Sequence, residues 1–124
     1  MFTDTFKNVL NYEGVVSITS WGKETPHVTC TWNSYLVLKD DDRILLPVAG
    51  MHSTEEDLTV NSNLILTMGA RQVEGFHGYQ GTGFRILGTG KLVNDGAEFD
   101  EMKQKFPFLR SVLEVTVSEA KQLL

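Results

Sequence analysis

The sequence predicts a mainly β domain, a closed or split barrel of six to seven antiparallel strands in a Greek-key-like order with about three short helices. Many short segments are apolar and β-branched or alternate apolar with polar residues, and turn-forming residues separate them. Only three segments have helical character, and no linker, repeat or low-complexity tract divides the 124 residues. One domain spanning residues 1–124 is therefore expected.

The first half of the chain is predicted to contain one helix and four strands. Phe2, Phe6, Val9 and Leu10 recur at helical spacing, and Gly14 is placed to end that helix in a left-handed conformation. The strands are expected at Val15–Trp21, Val28–Trp32, Tyr35–Leu38 and Arg43–Leu46, the last of them closed by Pro47. The run Asp40–Asp42 lacks the ligand spacing of a calcium loop, so it predicts a hairpin turn.

The second half is predicted to contain two helices and three strands. Ser53 with Glu56, and Thr54 with Asp57, have the spacing of a capping box or its close variant, which predicts a helix start. A face shared by Phe99, Met102 and Phe106 predicts a helix that follows Asn94–Gly96 and ends at Pro107. Strands are expected at Leu64–Met68, Phe84–Val93 and Val112–Val117, with a long glycine-rich connection over Gly69–Gly83. Gly88 and Gly90 indicate a bend or a close backbone approach.

Composition excludes several classes of protein. A formal net charge of -5 argues against a nucleic-acid or anionic-membrane surface. No segment is long and apolar enough to span a bilayer, and the N-terminus lacks the apolar run of a signal peptide, so a cytoplasmic protein is expected. Cys30 is the only cysteine, so neither an internal disulfide nor a thiolate metal cluster is available. His27, His52 and His77 show no metal-ligand spacing.

Sequence motifs for catalysis are missing. There is no nucleophile elbow and no Walker A segment, and neither Gly81–Gly83 nor Gly88–Gly90 leads into a helix as a dinucleotide fingerprint does. We therefore assign no catalytic residue. Redox chemistry remains open, because a bound cofactor can carry it.

Two segments are candidates for binding. Ser53 and Thr54 lie at a predicted helix start, where free N–H groups and two hydroxyls suit a phosphate, and Arg71 can supply a charged clamp. Trp32 and Tyr35 can wall a flat ring, with the Asn33 amide at its edge. The residues alone leave the simpler alternatives open, in which Ser53 and Thr54 only cap a helix and the two aromatic side chains belong to the core.

Four segments, in this order and spacing, resemble the small FMN-binding members of the pyridoxamine phosphate oxidase-like split-barrel flavoproteins. They are Thr31-Trp32-Asn33-Ser34-Tyr35-Leu36, Pro47-Val48-Ala49-Gly50-Met51-His52-Ser53-Thr54, Gly69-Ala70-Arg71-Gln72-Val73-Glu74-Gly75 and Gly81-Thr82-Gly83-Phe84. The resemblance extends over essentially the whole chain. It implies a split barrel and a homodimer with two FMN molecules at the subunit interface.

The resemblance also implies a set of site residues. Those near the isoalloxazine and ribityl groups are Thr31, Trp32, Asn33, Tyr35, Pro47, Val48, Ala49, Gly50 and Met51. Those around the phosphate are Ser53, Thr54, Ala70 and Arg71, with Gly81 and Thr82 closing the site and Phe108 reaching the flavin of the other subunit. The sequence departs from a close relative at Ser53, Ala70 and Gln72, where that relative has lysine, serine and lysine. The pocket is thus expected to carry less positive charge.

These implications favour an electron-transfer flavoprotein with a haem or iron–sulfur protein as redox partner. The alternative is a small-molecule oxidoreductase, either a flavin reductase or a pyridoxamine phosphate oxidase-like enzyme. Oxidases proper carry a longer C-terminal segment with arginine and histidine that grips the substrate, which makes the alternative second in rank. A module that stores or senses FMN, or that holds haem, is the third hypothesis.

Overall fold

The protein is described here by a computed structural model that covers residues 1–124. Seven strands form one antiparallel sheet in the order β2-β1-β5-β6-β7-β4-β3, and the chain also has three short α-helices. The mainly β prediction is confirmed, and because the sheet is not closed by hydrogen bonds it is consistent with a split barrel. The elements are α1 Asp4–Val9, β1 Val15–Ser20, β2 His27–Trp32, β3 Val37–Lys39, β4 Arg43–Val48, α2 His52–Leu58, β5 Asn63–Glu74, β6 Gln80–Val93, α3 Ala97–Lys105 and β7 Ser111–Gln122.

The sheet is curled, and its connectivity shows why. Strands β2 and β3 are consecutive in the chain but lie at opposite edges of the sheet. Only a single 3₁₀ turn at Asn33–Tyr35 and Leu36 separate them, a link whose ends can lie at most about 19 Å apart. The edges of a flat seven-stranded sheet would be about 29 Å apart. The two edges must therefore approach each other, which gives a barrel with one unpaired seam.

The inside of the curled sheet holds the main core. Helix α1 contributes Phe6 and Val9, both fully buried, and the Phe6 ring meets Phe84 edge-on at 5.2 Å. Thr3 begins this helix, and its side chain accepts a hydrogen bond from the Phe6 N–H. The remaining large core side chains come from the strands: Ile18, Ile44, Leu46, Leu64, Leu66, Ile86 and Leu113. A smaller cluster of Leu45, Met102, Leu109 and Val112 fixes α3 outside the sheet.

Two glycines of β6 lie close to neighbouring atoms, and at Gly88 the neighbour is backbone, as predicted. The pairing of β6 with β7 shifts register between Leu87 and Gly88, and a Cβ at Gly88 would collide with the carbonyl oxygen of Thr116. A Cβ at Gly90 would lie 2.5 Å from the Leu64 Cδ2 atom. Gly88 thus requires the smallest residue, whereas at Gly90 only the ends of leucine side chains would have to move.

The predicted long connection over Gly69–Gly83 is wrong. Strand β5 continues to Glu74 and β6 starts at Gln80, with Gly69 paired to Gly83 and Ala70 to Thr82. A Cβ at Gly69 would lie 2.9 Å from the Thr82 carbonyl oxygen, so the facing glycines allow the close pairing. Clustered glycines predict a loop, whereas in this sheet Gly69 and Gly83 allow two strands to approach closely.

Two further boundaries differ from the predictions because tertiary pairing decides them. Pro47 does not close β4 but lies inside it, paired with Val112 of β7. Strand β3 pairs only as far as Leu45, so no neighbouring strand on that side needs a Pro47 N–H. Tyr35 lies in the 3₁₀ turn rather than in a strand.

Two predicted helix signals also act differently. Helix α1 already ends at Val9, and Gly14 instead lies where a Cβ would be 2.9 Å from the Gly69 carbonyl oxygen. Helix α2 has Met51 as its N-cap, with a left-handed φ of 65°, so neither Ser53 nor Thr54 is the N-cap residue. The predicted capping boxes are therefore wrong. The Asp40–Asp42 turn is confirmed as the turn of the β3–β4 hairpin, and Asp40 forms a salt bridge with Arg43.

Candidate functional site

A groove lies at the seam of the barrel, between the end of β2 and the end of β4. We call it the aromatic groove; it encloses about 250 Å³. Many predicted site residues meet in it: Thr31, Trp32, Tyr35, Pro47, Ala49, Gly50, Met51 and Phe108. Thr29 and Cys30 are the other lining residues.

Aromatic side chains form one wall of this groove. Tyr35 lies 5.6 Å from Phe108 and 5.1 Å from Phe106, measured between ring centroids. Trp32 and Phe108 are 45% and 53% exposed, although large apolar side chains are normally buried. An aromatic surface left open in this way suits a flat ring that the isolated chain does not contain.

The opposite wall is backbone. Gly50 lies in the loop after β4, and a Cβ added there would have no atom within 4 Å. The glycine therefore leaves the groove open although packing within the chain does not require it. The N–H groups of Gly50 and Met51 have no hydrogen-bond acceptor in the chain. This wall can hold a planar ring that carries acceptor atoms.

A second cavity of about 370 Å³ continues the aromatic groove, because both are lined by Thr29 and Met51. We call it the hydroxyl cavity, since Ser53 and Thr54 line it. Ser53 is exposed, while Thr54 is only 3% exposed. The ring-side and hydroxyl-side residues predicted for one ligand are thus adjacent in a single chain.

The remaining predicted phosphate residues lie elsewhere in the chain. Ala70, Arg71, Gly81 and Thr82 line a third cavity of about 520 Å³, here called the Arg71 cavity. Arg71 is exposed and forms no salt bridge in the chain, whereas the Thr82 hydroxyl is used, donating to the Leu124 carbonyl oxygen at 2.7 Å. One chain alone does not bring Arg71 to Ser53 and Thr54.

Two predicted residues point into the protein instead. Val48 is in the main core, 1% exposed. The Asn33 amide nitrogen donates to the carbonyl oxygens of Tyr12 at 2.9 Å and Gly69 at 3.1 Å, so it connects the 3₁₀ turn to β5. Its Oδ1 atom is buried without a partner. The amide nitrogen is therefore engaged in the fold and is not available to a ring edge.

A carboxylate stands at the rim of the Arg71 cavity. Glu13 accepts hydrogen bonds from the Ser34 hydroxyl at 2.7 Å and from the Ser34 N–H at 3.1 Å. These hydrogen bonds lower the pKa of Glu13 below its usual value, so the carboxylate remains ionised near neutral pH. Its charge is held beside the turn that carries Tyr35.

Sequence reasoning missed two polar groups next to these cavities. Arg110 connects the Ala49–Gly50 loop to Glu55 of α2. His27, which lines the hydroxyl cavity, places its Nδ1 atom 2.8 Å from the Asp57 carboxylate. The residues of each pair are far apart in sequence, and no local spacing rule indicates them. The near-complete burial of Asp57, next to a histidine, becomes visible only in the fold.

The family model described as pyridoxamine 5'-phosphate oxidase matches residues 2–124. The chain belongs to the pyridoxamine 5'-phosphate oxidase family. It is 43% identical to the FMN-binding protein of Nitratidesulfovibrio vulgaris (strain Miyazaki F), over 124 residues that cover 100% of both chains. The family predicted from the sequence is confirmed.

Members of this fold group among solved structures are more distant in sequence. HupZ of Group A Streptococcus superposes with a TM-score of 0.81 at 17% identity, over 99% of this chain and 94% of that one. An FMN-binding protein from Syntrophomonas wolfei gives a TM-score of 0.75 at 14% identity, over 94% and 82%. At such identities the likeness establishes the fold alone. No helix of this family member has the length and hydropathy needed to cross a membrane.

Proposed function

We propose that the chain is an electron-transfer flavoprotein that holds FMN without a covalent bond at the interface of a homodimer. The observation that carries the proposal is the open aromatic groove, in a chain 43% identical over its whole length to a protein named for binding FMN. Trp32, Tyr35 and Phe108 offer apolar faces to the isoalloxazine. The bound flavin supplies the redox chemistry, and the protein positions it and limits solvent.

The proposed homodimer explains why the predicted site is divided. The aromatic groove and hydroxyl cavity of one chain contain no arginine or lysine, while the Arg71 cavity offers an unpaired guanidinium. A charge-assisted donor binds a phosphate more strongly than a neutral one. A second copy can bring its Arg71 cavity to the hydroxyl end of the first, so that each FMN contacts both subunits. Val28 and Trp32 of the edge strand β2, and Val15 of β1 opposite Trp32, are exposed apolar side chains that suit such a contact.

The lack of an assigned catalytic group supports electron transfer over substrate turnover. We propose a cytoplasmic location and a haem or iron–sulfur protein as partner. The test is to purify the protein, record its visible spectrum, identify the released cofactor and measure the mass of the assembly. Photoreduced protein is then mixed with oxidised haem and iron–sulfur proteins. Reoxidation no faster than with free FMN contradicts the electron-transfer role.

A second candidate function is a small-molecule oxidoreductase, because the family model carries the description of an oxidase. The exposed face of the His27 ring, beside the hydroxyl cavity, is a group that could exchange protons with a substrate. Steady-state assays with NADH, NADPH and pyridoxamine 5'-phosphate distinguish the two functions. Multiple turnovers with any of these substrates favour the oxidoreductase function. A single reduction of each flavin, without turnover, favours electron transfer.

A further inference from the structure

Arg110 is hydrogen-bonded to the loop that forms the backbone wall of the aromatic groove. Its Nε atom donates to the Ala49 carbonyl oxygen at 2.6 Å and its Nη2 atom to the Gly50 carbonyl oxygen at 2.7 Å. The guanidinium also binds both carboxylate oxygens of Glu55, at 2.8 and 2.7 Å. Its own backbone N–H donates to the Val48 carbonyl oxygen at 2.9 Å. Arg110 thus joins the end of β4 through its backbone, and the loop and α2 through its side chain.

These contacts fix the orientation of two peptide groups. The carbonyl oxygens of Ala49 and Gly50 point toward the guanidinium of Arg110, which lines neither the aromatic groove nor the hydroxyl cavity. Every peptide bond in the chain is trans. In a trans peptide the N–H points opposite to the C=O, so the N–H groups of Gly50 and Met51 point away from Arg110.

Both N–H groups are free for a ligand. Neither has an acceptor in the chain, and Gly50 has no side chain to cover them. The hydrogen bonds from Arg110 also lower the pKa of Glu55, which keeps that carboxylate ionised.

We propose that Arg110 is a positioning residue for the aromatic groove. Held by Glu55, it turns two carbonyl oxygens outward and thereby aims the Gly50 and Met51 N–H groups at acceptor atoms of the bound ring. The proposal rests on the function proposed above, because it takes that ring to be the isoalloxazine. A reduced flavin is richer in electrons than an oxidised one and accepts hydrogen bonds more strongly. Arg110 therefore strengthens FMN binding and raises the midpoint potential of the bound flavin.

The test compares three variants of the full-length protein with the wild type. Arg110→Met removes every side-chain donor, and Arg110→Lys keeps the charge but loses the planar fork. Arg43→Met is the matched control, because Arg43 binds three carboxylates and touches no part of the groove. FMN affinity is measured by fluorescence titration, the midpoint potential by spectroelectrochemistry and the fold by thermal unfolding. Amide shifts of Gly50 and Met51 are followed by NMR during the FMN titration.

The expected result is an FMN dissociation constant raised about tenfold in Arg110→Met, with a smaller rise in Arg110→Lys. The midpoint potential falls in the same order, and the large FMN-induced shifts of the two amides are lost. Arg43→Met lowers the melting temperature but leaves affinity and potential unchanged. If Arg110→Met does not fold, Arg110→Lys and Glu55→Gln provide the same measurements.

Three outcomes contradict the proposals, and they differ in which proposal they contradict. Wild-type protein that binds no FMN overturns the proposed function. Wild-type protein that binds FMN, while the Arg110 variants keep its affinity and potential, overturns the role of Arg110 and leaves the proposed function intact. A fall in melting temperature alone, with potential and amide shifts unchanged, means a purely structural role and also overturns the inference.

Discussion

The Nδ1 atom of His27 lies 2.8 Å from an Asp57 carboxylate oxygen that also accepts a hydrogen bond from Ser20 at 2.7 Å. This contact connects the start of β2 to the last turn of α2 and to the end of β1. Asp57 is buried, and the hydrogen bonds from His27 and then Ser20 lower its pKa. The buried carboxylate is thus stabilised in its ionised form.

The first prediction concerns stability in acid. The pKa of Asp57 is lower in the folded than in the unfolded chain, so the unfolded chain binds the proton first. The stabilisation is complete above the ordinary pKa of aspartate, and it is lost as the pH falls through the lowered folded pKa. We expect Asp57→Asn to lower the melting temperature at pH 7 and to flatten its dependence on pH below about 4, the ordinary pKa of aspartate. The control is Asp100→Asn, at a position without side-chain hydrogen bonds; an equal loss in both variants contradicts the assignment.

A second prediction compares Gly88 with Gly90. A Cβ at Gly88 meets the Thr116 backbone oxygen, which the β7 strand cannot easily move, whereas a Cβ at Gly90 meets the ends of leucine side chains. Gly88→Ala should cost about 3 kcal/mol and Gly90→Ala about 1 kcal/mol, within the range for overpacking. Urea unfolding measures both. The reverse order shows that the register shift in β6 is not what requires glycine.

A third prediction concerns Gly50 and the width of the groove. An alanine methyl at this position meets nothing in the chain, and Gly50 has no positive φ that would strain another residue. Gly50→Ala should keep the melting temperature of the protein without ligand but weaken FMN binding at least about tenfold, by blocking the ring. Unchanged affinity means that the ring does not lie against this wall.

A fourth prediction tests the divided site. Arg71→Ala should weaken FMN retention, because the guanidinium is the unpaired cation assigned to the phosphate. The control is Lys91→Ala, which removes an exposed cation outside the three cavities.

Trp32→Ala should also weaken FMN binding, because it changes the aromatic groove, the other half of the proposed site. Mixing the two variants creates hybrid dimers with one intact site. FMN binding restored on mixing identifies a shared site, and no restoration shows that each chain binds alone.

A fifth prediction concerns the attachment of α3. Arg43 on β4 binds Glu98 of α3 at 2.8 and 2.9 Å and Glu114 of β7 at 2.7 Å. The Glu98 contact is the first cause of the raised pKa of Arg43. Arg43→Met leaves three carboxylates without their partner and should cost about 1–2 kcal/mol, with a larger loss at low than at high salt. A loss of stability in Arg43→Met that is equal at low and high salt contradicts the role of these salt bridges.

The spacing of apolar residues was sufficient to predict which side chains of a helix are buried. The burial of Phe6 and Val9 on α1, and of Met102 on α3, matches the spacing of apolar residues. The pattern failed where a distant strand decides. Gly69 and Gly83 resemble loop residues until they face each other, and Pro47 resembles a strand end until the short β3 leaves room for it. Boundaries of this kind depend on contacts between residues far apart in the chain.

The candidate site was predicted only in part for the same reason. The resemblance to FMN-binding split-barrel proteins indicated Trp32, Tyr35 and Gly50, and all three line the aromatic groove. It did not indicate Arg110, whose partners lie about sixty positions away and have no motif in common with it. Nor did it reveal that Asn33, one of the aligned residues, uses its amide nitrogen inside the fold.

The short link between β2 and β3 has one more consequence. The link spans the seam of the barrel and carries Tyr35. Its length therefore limits the distance between the edge strands β2 and β3 on either side of the seam. Each residue added there would widen that limit by at most about 3.8 Å, and each residue removed would narrow it. The length of the link therefore sets the maximum width of the seam. Among proteins of this architecture, its length should correlate with the thickness of the molecule that the seam admits.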